Sequence, residues 1–398
     1  NGFGMAGGLG NEVARWFIEG RTRIDLTSYD IRRFGAHYRK LDYVSARARE
    51  VYKYYYYPKL PLDEFEWGRP YRRSPLHERL KAVGAVFGEK NAFERANYFD
   101  PEKPSRLAGP DQSQGFRWGP PSDDHLIEAE HHAIRQNVGI LDMSSFGKID
   151  VSGPGALALL QKVAANDIDQ PLGSLIYTLF LNERGGIESD LTIARVAEDK
   201  FRLVTGTSTV TIIIGWLHYH LDSGKQVEIA EVTEDYGCIS VWGPQSRRVL
   251  SKVTRAVLDN QSFPYLSCQE IDVGACSVLA NRVSFAGELG WELYPAKTDA
   301  LTVWDALMEA GRAHEIRPCG YRAIDSLRLE KGFLNWGSDI TPNDNPIDAG
   351  LAFTIKYRKP AFIGKEALQK LAKRESKVSM TTLVSEDPGL RAYGGEAV

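Results

Sequence analysis

The chain has 398 residues, 43% hydrophobic and 25% charged, a length for two to three domains and a composition that excludes disorder, collagen and a small disulfide scaffold. Lys and Arg (49) nearly balance Asp and Glu (52), so the formal charge of −3 lacks the footprint of a nucleic-acid binder and points to small molecules or proteins as partners. Cys238, Cys268, Cys276 and Cys319 lie too far apart for a zinc or dithiol motif and read as unpaired core thiols of a reducing compartment, while the longest apolar run, Val210 to Leu217, is far short of the ~20 residues that cross a bilayer.

In chain order, Gly2 to Gly10 reads as a glycine-rich turn that enters a helical pattern at Val13, Ala14, Trp16 and Phe17 without a strand ahead of it, as if it ended a domain lying upstream. Arg32 to Arg95 carries 15 Lys/Arg against 8 Asp/Glu around the tyrosines Tyr54 to Tyr57, which suits a solvated docking surface or an anion site. Residues 100–123 are rich in Pro, Gly, Ser and Asp and form a linker or long loop. A helix over 124–137, a strand from Lys148 to Val151 and a helix opened by Ser152-Gly153-Pro154-Gly155 follow, then strands at Tyr177–Leu181, Ser189–Arg195 and Phe201–Val204. The pattern continues as a helix over Val210–Leu221, strands near 227–232 and 237–242, a helix after Gly243-Pro244, strands near 277–285 and 291–294, and a helix capped by Thr298. Val151-Ser152-Gly153-Pro154 recurs as Val241-Trp242-Gly243-Pro244, so two α+β units repeat at about 90 residues. Thr381 to Val384 begins a strand-like run, and Tyr393 to Val398 reads as a turn entering another, which suggests truncation at both ends of the chain.

Three stretches carry chemistry. In Gly185-Gly186-Ile187-Glu188-Ser189-Asp190-Leu191-Thr192-Ile193, alternation places Asp190 on the face of Thr192, opposite Leu191, where a half-dry carboxylate can take a proton or bind an N–H; a turn acid bonded to local amides is the structural alternative. In Phe285-Ala286-Gly287-Glu288-Leu289-Gly290-Trp291-Glu292, the glycines allow close ligand approach and the Glu288 carboxylate suits the amidine-like edge of a pterin, unless it is an exposed hairpin acid. Pro318 to Gly332 is a helix on which Arg328, four residues after Ile324, reaches a strand carboxylate and forms a structural ion pair in preference to a catalytic one. The histidine pairs His131-His132 and His218-x-His220 do not share a helix face, so no metal site is expected.

Asp142-Met143-Ser144-Ser145-Phe146-Gly147-Lys148, Asn166-Asp167, Gly185 to Leu191, the Gly287-Glu288-x-Gly-x-Glu stretch and Ser326 to Gly332 together resemble the folate-binding half of the dimethylglycine and sarcosine dehydrogenases, which is similar to the glycine cleavage T-protein, an aminomethyltransferase. Asp30-Ile31-Arg32-Arg33-Phe34 resembles the end of that family's FAD oxidase domain, and Ser74-Pro75-Leu76 through Phe87, with Phe93-Glu94-Arg95, its central connecting region. The resemblance implies an α+β, T-protein-like fold of two repeated units at 124–370, a remnant of the FAD domain at 1–34, a connecting domain at 35–99, a linker at 100–123 and the start of a C-terminal β domain at 371–398.

It further implies that tetrahydrofolate captures a one-carbon unit from an iminium made from an N-methylated amine by a flavin domain in cis. Asp190 then takes the place of the catalytic carboxylate, Glu288 that of the pterin-binding one, and Tyr177, Phe285 and Trp336 line the pocket. FAD belongs to the intact enzyme, and this chain alone is expected to carry none. The compartment would be the cytoplasm of a bacterium or the mitochondrial matrix, with no membrane or nucleic-acid partner. Two departures from the T-protein pattern, Ile324 for arginine and Phe285 for tyrosine, argue against transfer from a lipoyl carrier. The same resemblance extends to the regulatory subunit of pyruvate dehydrogenase phosphatase, which makes an inactive binding relative the alternative; a free-standing folate-dependent demethylase leaves residues 1–34 unexplained.

Overall fold

The computed structural model describes residues 2–55, 63–102, 123–374, 378–387 and 390. Its elements begin with α1 (Gly2–Glu19), α2 (Leu41–Lys53), α3 (His77–Ala82), β1 (Ala85–Lys90) and β2 (Phe93–Phe99). The first repeat follows α4 (Asp124–Gln136) and β3 (Gly139–Asp142) as β4 (Gly147–Ser152), α5 (Ala156–Val163), β5 (Leu175–Leu181), β6 (Ile187–Ala197), β7 (Lys200–Thr205), α6 (Val210–His220) and β8 (Glu228–Glu231). The second is β9 (Ile239–Trp242), α7 (Ser246–Leu250), β10 (Cys268–Val273), β11 (Cys276–Asn281), β12 (Gly290–Pro295), α8 (Ala300–Gly311) and β13 (Arg317–Pro318), after which come α9 (Tyr321–Glu330) and α10 (Lys365–Leu371).

The sequence repeat is a topological repeat. One sheet runs β5-β6-β7-β4-β8 and the other β10-β11-β12-β9-β3-β13, so three antiparallel strands lie beside the strand that opens each unit. In the second sheet β3 occupies the position next to β9 that β8 takes next to β4, and β13 is displaced by one place to pair parallel with β3. Both units leave their first strand through a glycine that needs a positive φ, +107° at Gly153 and +127° at Gly243. A Cβ there would stand 2.7 Å from the Gln226 carbonyl oxygen or 2.5 Å from that of Asn137, so any side chain is excluded twice over.

Each sheet sends alternate residues outward and inward. Outward, Ile149, Val151, Phe180, Leu191, Ile193 and Leu203 pack on α5 and α6, and Val241, Val278, Trp291 and Leu293 pack with residues of α7 and α8. Inward, the sheets share apolar contacts: Val204 of the first clusters with Leu141, Trp242 and Tyr294 of the second, and Leu175 and Ala194 cluster with Cys268 and Leu279. The rest of the first sheet's inner face, Leu179 and Leu181, is covered by Ile340, Leu351, Phe362 and Leu368 from the segment after α9.

Several local expectations change. Gly2–Glu19 is a helix, where the glycines suggested a turn, and the Glu12 carboxylate accepts the Arg23 N–H at 2.6 Å just beyond its end. The cap position of α8 is Asp299, one residue past Thr298, and neither side chain caps the helix. Thr381–Val384 has no strand assignment, and Tyr393–Val398 lies outside the described residues. All four cysteines are free thiols, three of them buried. The hairpin β1–β2, through Phe87 and Phe99, and the α3 segment, through Leu76 and Leu80, share one core with the second sheet. Some basic residues of 32–95 are neutralised by ion pairs: Arg69 lies buried against Glu94 at 2.7 Å, Arg72 meets Glu234 at 2.7 Å, and Arg79 meets Asp305 at 2.6 Å. No helix among the described residues is long and apolar enough to cross a membrane.

Candidate functional site

The inner face of the first sheet carries Glu188, Asp190 and Thr192 on β6, since Leu191 and Ile193 are taken by the outer core. β5 pairs Tyr177 with Thr192 and Leu179 with Asp190, so Tyr177 is the diagonal neighbour of Asp190, within reach of a long side chain. Its hydroxyl donates to Asp190 Oδ2 at 3.2 Å. Burial pushes the Asp190 carboxyl up to about 6 against the opposing pull of that hydrogen bond, and burial beside the same carboxylate raises the Tyr177 phenol well above its ordinary value. A carboxyl tuned to about 6 is mostly ionised at neutral pH yet basic enough to take a proton.

Trp336 is half-buried beside this strand, its indole N–H donating to the Ile187 carbonyl at 2.8 Å. Phe353, 66% exposed, stacks on Tyr177 with ring centroids 6.3 Å apart and 26° between planes. Asp190, Tyr177, Trp336 and Phe353 therefore form one group. Phe353 had no sequence signal, because nothing in the 352–354 turn marks it as a neighbour of β5.

On the second sheet, Gly290, Glu292 and Tyr294 share the inner face, while Trp291 and Leu293 belong to the outer core. Glu292 is 8% exposed and accepts the Tyr294 hydroxyl at 2.6 Å, and burial raises its carboxyl to about 7. Asn281, directly opposite Glu292 in the β11–β12 register, is fully buried, and neither atom of its amide has a hydrogen-bond partner among the described residues. An orphaned donor and acceptor beside a buried carboxylate is costly unless a ligand or water completes it. The two-residue alternation from Gly290 was the available signal for Glu292 and Tyr294.

The other expected residues fall differently. Phe285 is half-buried in the inter-sheet cluster and stacks on Phe333 at 5.8 Å. Glu288 sits apart from Glu292: its carboxylate takes Arg135 of α4 at 2.7 Å, with Lys331 at 3.9 Å. Arg135 also holds Glu330 at 2.9 Å and the carbonyls of Ala286 and Leu327, so Glu288 is part of an ion-pair network joining α4 and α9 to this hairpin. Arg328 makes a structural ion pair, with Asp339 in the turn after α9 in place of the expected strand carboxylate.

The model of the GCVT N-terminal domain matches residues 76–359, and that of the FAD dependent oxidoreductase central domain matches 19–74. The chain belongs to the GCVT N-terminal domain family. It is 38% identical over 385 residues to the 4-methylaminobutanoate oxidase (formaldehyde-forming) of Paenarthrobacter nicotinovorans, covering 96% of this chain and 46% of that protein. It is 36% identical over 439 residues to the mitochondrial sarcosine dehydrogenase of Homo sapiens, covering 100% and 47%. The mitochondrial pyruvate dehydrogenase phosphatase regulatory subunit of Mus musculus is 35% identical over 371 residues, covering 92% and 42%. The chain thus spans less than half the length of these relatives. Its fold matches the crystal structure of the glycine cleavage system aminomethyltransferase T from Bartonella henselae, with a TM-score of 0.63 and 26% identity over 76% of this chain and 75% of that one. A family of N-methylamino acid dehydrogenases and oxidases with an aminomethyltransferase-like half is the setting in which the site is read.

Proposed function

We propose that this chain is the folate-binding, one-carbon-transferring part of an FAD-dependent dehydrogenase of N-methylated glycine-type amines. The observation that carries the reading is Asp190: a carboxyl held by Tyr177 at 3.2 Å and raised by burial to about 6, next to an exposed aromatic ring. The residues present fit a reduced pterin, since the buried Glu292 carboxylate and the unpartnered Asn281 amide offer an acceptor pair and a donor for its polar edge. Reduced folate supplies, when bound, the amine that accepts the one-carbon unit. Asp190 would hold the proton lost at the accepting nitrogen as it bonds to the iminium carbon and would return it to the amine nitrogen that departs when the original C–N bond breaks, with Tyr177 keeping the receiving oxygen oriented. Glu292 and Asn281 would hold the pterin, and the rings of Tyr177 and Phe353 lie stacked beside Asp190. Glu288, committed to Arg135, supports the hairpin from outside, and the geometry favours Glu292 over it as the pterin carboxylate. FAD chemistry, the amine and the matrix or bacterial cytoplasmic setting belong to the longer polypeptide typified by the relatives.

Calorimetric titration of the 398-residue chain with tetrahydrofolate tests the reading, saturable binding that weakens on Glu292→Ala being the expected result. A second reading, a regulatory binding protein, is favoured by the similarity to the phosphatase regulatory subunit. Absence of folate binding would select it.

A further inference from the structure

The Phe93-Glu94-Arg95 stretch of β2 turns its two charges in opposite directions. Glu94 is buried against Arg69 at 2.7 Å, whereas Arg95 is half-buried on the other face of the hairpin, which it shares with its register partner Gly88 and with Lys90. There the Arg95 guanidinium lies over the Tyr321 ring, 3.6 Å from its centroid. The backbone builds this contact: a Cβ on Gly320 would stand 2.2 Å from the Asn97 carbonyl oxygen, so α9 starts directly on β2 and sets Tyr321 beneath Arg95. The hairpin tip is tied to the first repeat as well, the Asn91 side-chain N–H donating to the Thr207 carbonyl at 3.3 Å.

Donors outnumber acceptors at this spot. Among the described residues no hydrogen bond or ion pair takes up the Arg95 guanidinium, and the exposed Lys90 has no ion-pair partner within 4.0 Å. Asp325 of α9 and Asp339 in the turn after it are both paired with Arg328, Asp325 at 3.7 Å, and Glu64 is occupied by the Asn97 side-chain N–H at 2.9 Å and the Glu89 N–H at 3.1 Å. The far end of Tyr321 is short of acceptors too. Thr207 Oγ1 donates to Ser145 Oγ at 3.3 Å, and Ser145 and Tyr321 share one bond at 2.9 Å, so three hydroxyl protons serve two bonds among residues that are 3 to 8% exposed. A buried donor left over is costly unless a ligand or water takes it. A guanidinium fork above the ring and a hydroxyl donor at its edge suit the two oxygens of a carboxylate.

The position of these donors gives them a use. Thr207 lies two residues of chain, at most about 7 Å, beyond Thr205, whose hydroxyl donates to the Asp190 carbonyl at 3.4 Å. Tyr321 belongs to the cluster in which Val204 of the first sheet meets Leu141, Trp242 and Tyr294 of the second. A glycine-type iminium bears a carboxylate close to its reacting nitrogen, so a group that locates it must stand near Asp190 without touching the transferred carbon. We infer that Arg95 and the Ser145–Tyr321 hydroxyls form a carboxylate subsite for the amino acid that delivers the one-carbon unit and leaves as the demethylated amine, and that this subsite selects amino acids over simple amines. The inference takes its ligand from the functional reading above and its carboxylate chemistry from the geometry around Arg95 alone.

The test is ligand-detected NMR saturation transfer on the full 398-residue chain with sarcosine, acetate, dimethylamine and methylphosphonate as probes. Sarcosine and acetate should bind saturably, and dimethylamine, which keeps the methylated nitrogen and lacks the carboxylate, at least about tenfold more weakly than sarcosine. Arg95→Gln should weaken sarcosine and acetate by about tenfold, the scale of one charge-assisted hydrogen bond, and Arg95→Lys should restore part of that loss. Equal binding of sarcosine and dimethylamine, or an unchanged sarcosine affinity in Arg95→Gln, overturns the subsite. Tighter binding of methylphosphonate than of acetate overturns it as well, in favour of a phosphate site. Where Arg95→Gln lowers the thermal midpoint, Tyr321→Phe carries the comparison: it keeps the ring under Arg95, and an unchanged sarcosine affinity there overturns the subsite. Tetrahydrofolate titrated into the same samples separates this inference from the reading it rests on. Folate binding without carboxylate binding overturns the subsite alone; carboxylate binding that depends on Arg95, without folate binding, leaves the carboxylate site standing and removes the folate reading; absence of both removes both.

Discussion

Burial pushes both Asp190 and Glu292 toward the neutral state, to about 6 and about 7, and this fixes the sign of their pH dependence. A carboxyl whose folded value is raised contributes stability that is fully present below its unfolded value, about 4, and is lost as pH rises through the folded one. In the proposed function the dependence runs the other way, because both groups would act ionised. Folate affinity should therefore rise with pH through about 7 in the wild type, and Glu292→Gln should abolish that rise while lowering affinity at pH 8 by ~1.5–3 kcal/mol, the range of a charge-assisted hydrogen bond. Glu288→Ala should change affinity by far less, since it empties an ion pair with Arg135 that is tied to helix carbonyls; equal losses at the two positions would return the pterin role to Glu288. For Asp190, the rate of one-carbon transfer in the longer enzyme should climb through about pH 6 and level off. Asp190→Asn should retain the fold, remove that limb and release formaldehyde in place of methylenetetrahydrofolate, an outcome read from product partition.

Elements are joined by buried groups as much as by strand pairing, and α4 shows how. Glu130, 1% exposed, accepts the Phe99 N–H at 2.7 Å and the Gly320 N–H at 2.8 Å, thereby pinning the end of β2 to the start of α9. Glu130→Ala strands two buried donors and should cost about 2–5 kcal/mol in chemical denaturation. Burial lifts this carboxyl to about 8, so its stabilisation is lost as pH climbs from about 4.5 through 8. Glu130→Gln should flatten that part of the stability profile. No sequence pattern exposes such a residue, because a glutamate in the polar-looking helix 124–137 reads as solvated. The same limit explains which strands were legible. β4 to β7 alternate or end at Gly-Pro and were readable. β10 was not, since its buried residues, Cys268, Ile271 and Val273, break the period of two, and β1 is buried along Ala85 to Gly88 with a bulge between Val86 and Phe87. Alternation singled out Asp190, and the family resemblance alone named Tyr177 and Trp336, whereas Phe353 meets Tyr177 through tertiary packing and Asn281 faces Glu292 through the β11–β12 register.

The repeat makes the whole molecule more than two copies of one unit. Each sheet buries its outer face without the other sheet, but the inner faces depend on each other: Val204 clusters with Tyr294 and Trp242, and Leu175 with Cys268 and Leu279. The candidate site divides its groups between these faces, Asp190 and Tyr177 on one and Glu292, Asn281 and Tyr294 on the other. A ligand held by both is a bridge across the inter-sheet core, and its binding energy adds to the stability of the two units together. At a concentration of 100 times its dissociation constant, tetrahydrofolate should add about 2.7 kcal/mol, a rise of a few degrees in the thermal midpoint for domains of this size. Calorimetric unfolding of the chain should show that rise in the transition shared by both repeats, and Glu292→Gln, which alters only the second sheet, should remove it throughout. A ligand that raised the midpoint of one transition and left a second untouched would place the site within a single repeat, against the division of Asp190 and Glu292 between the two sheets.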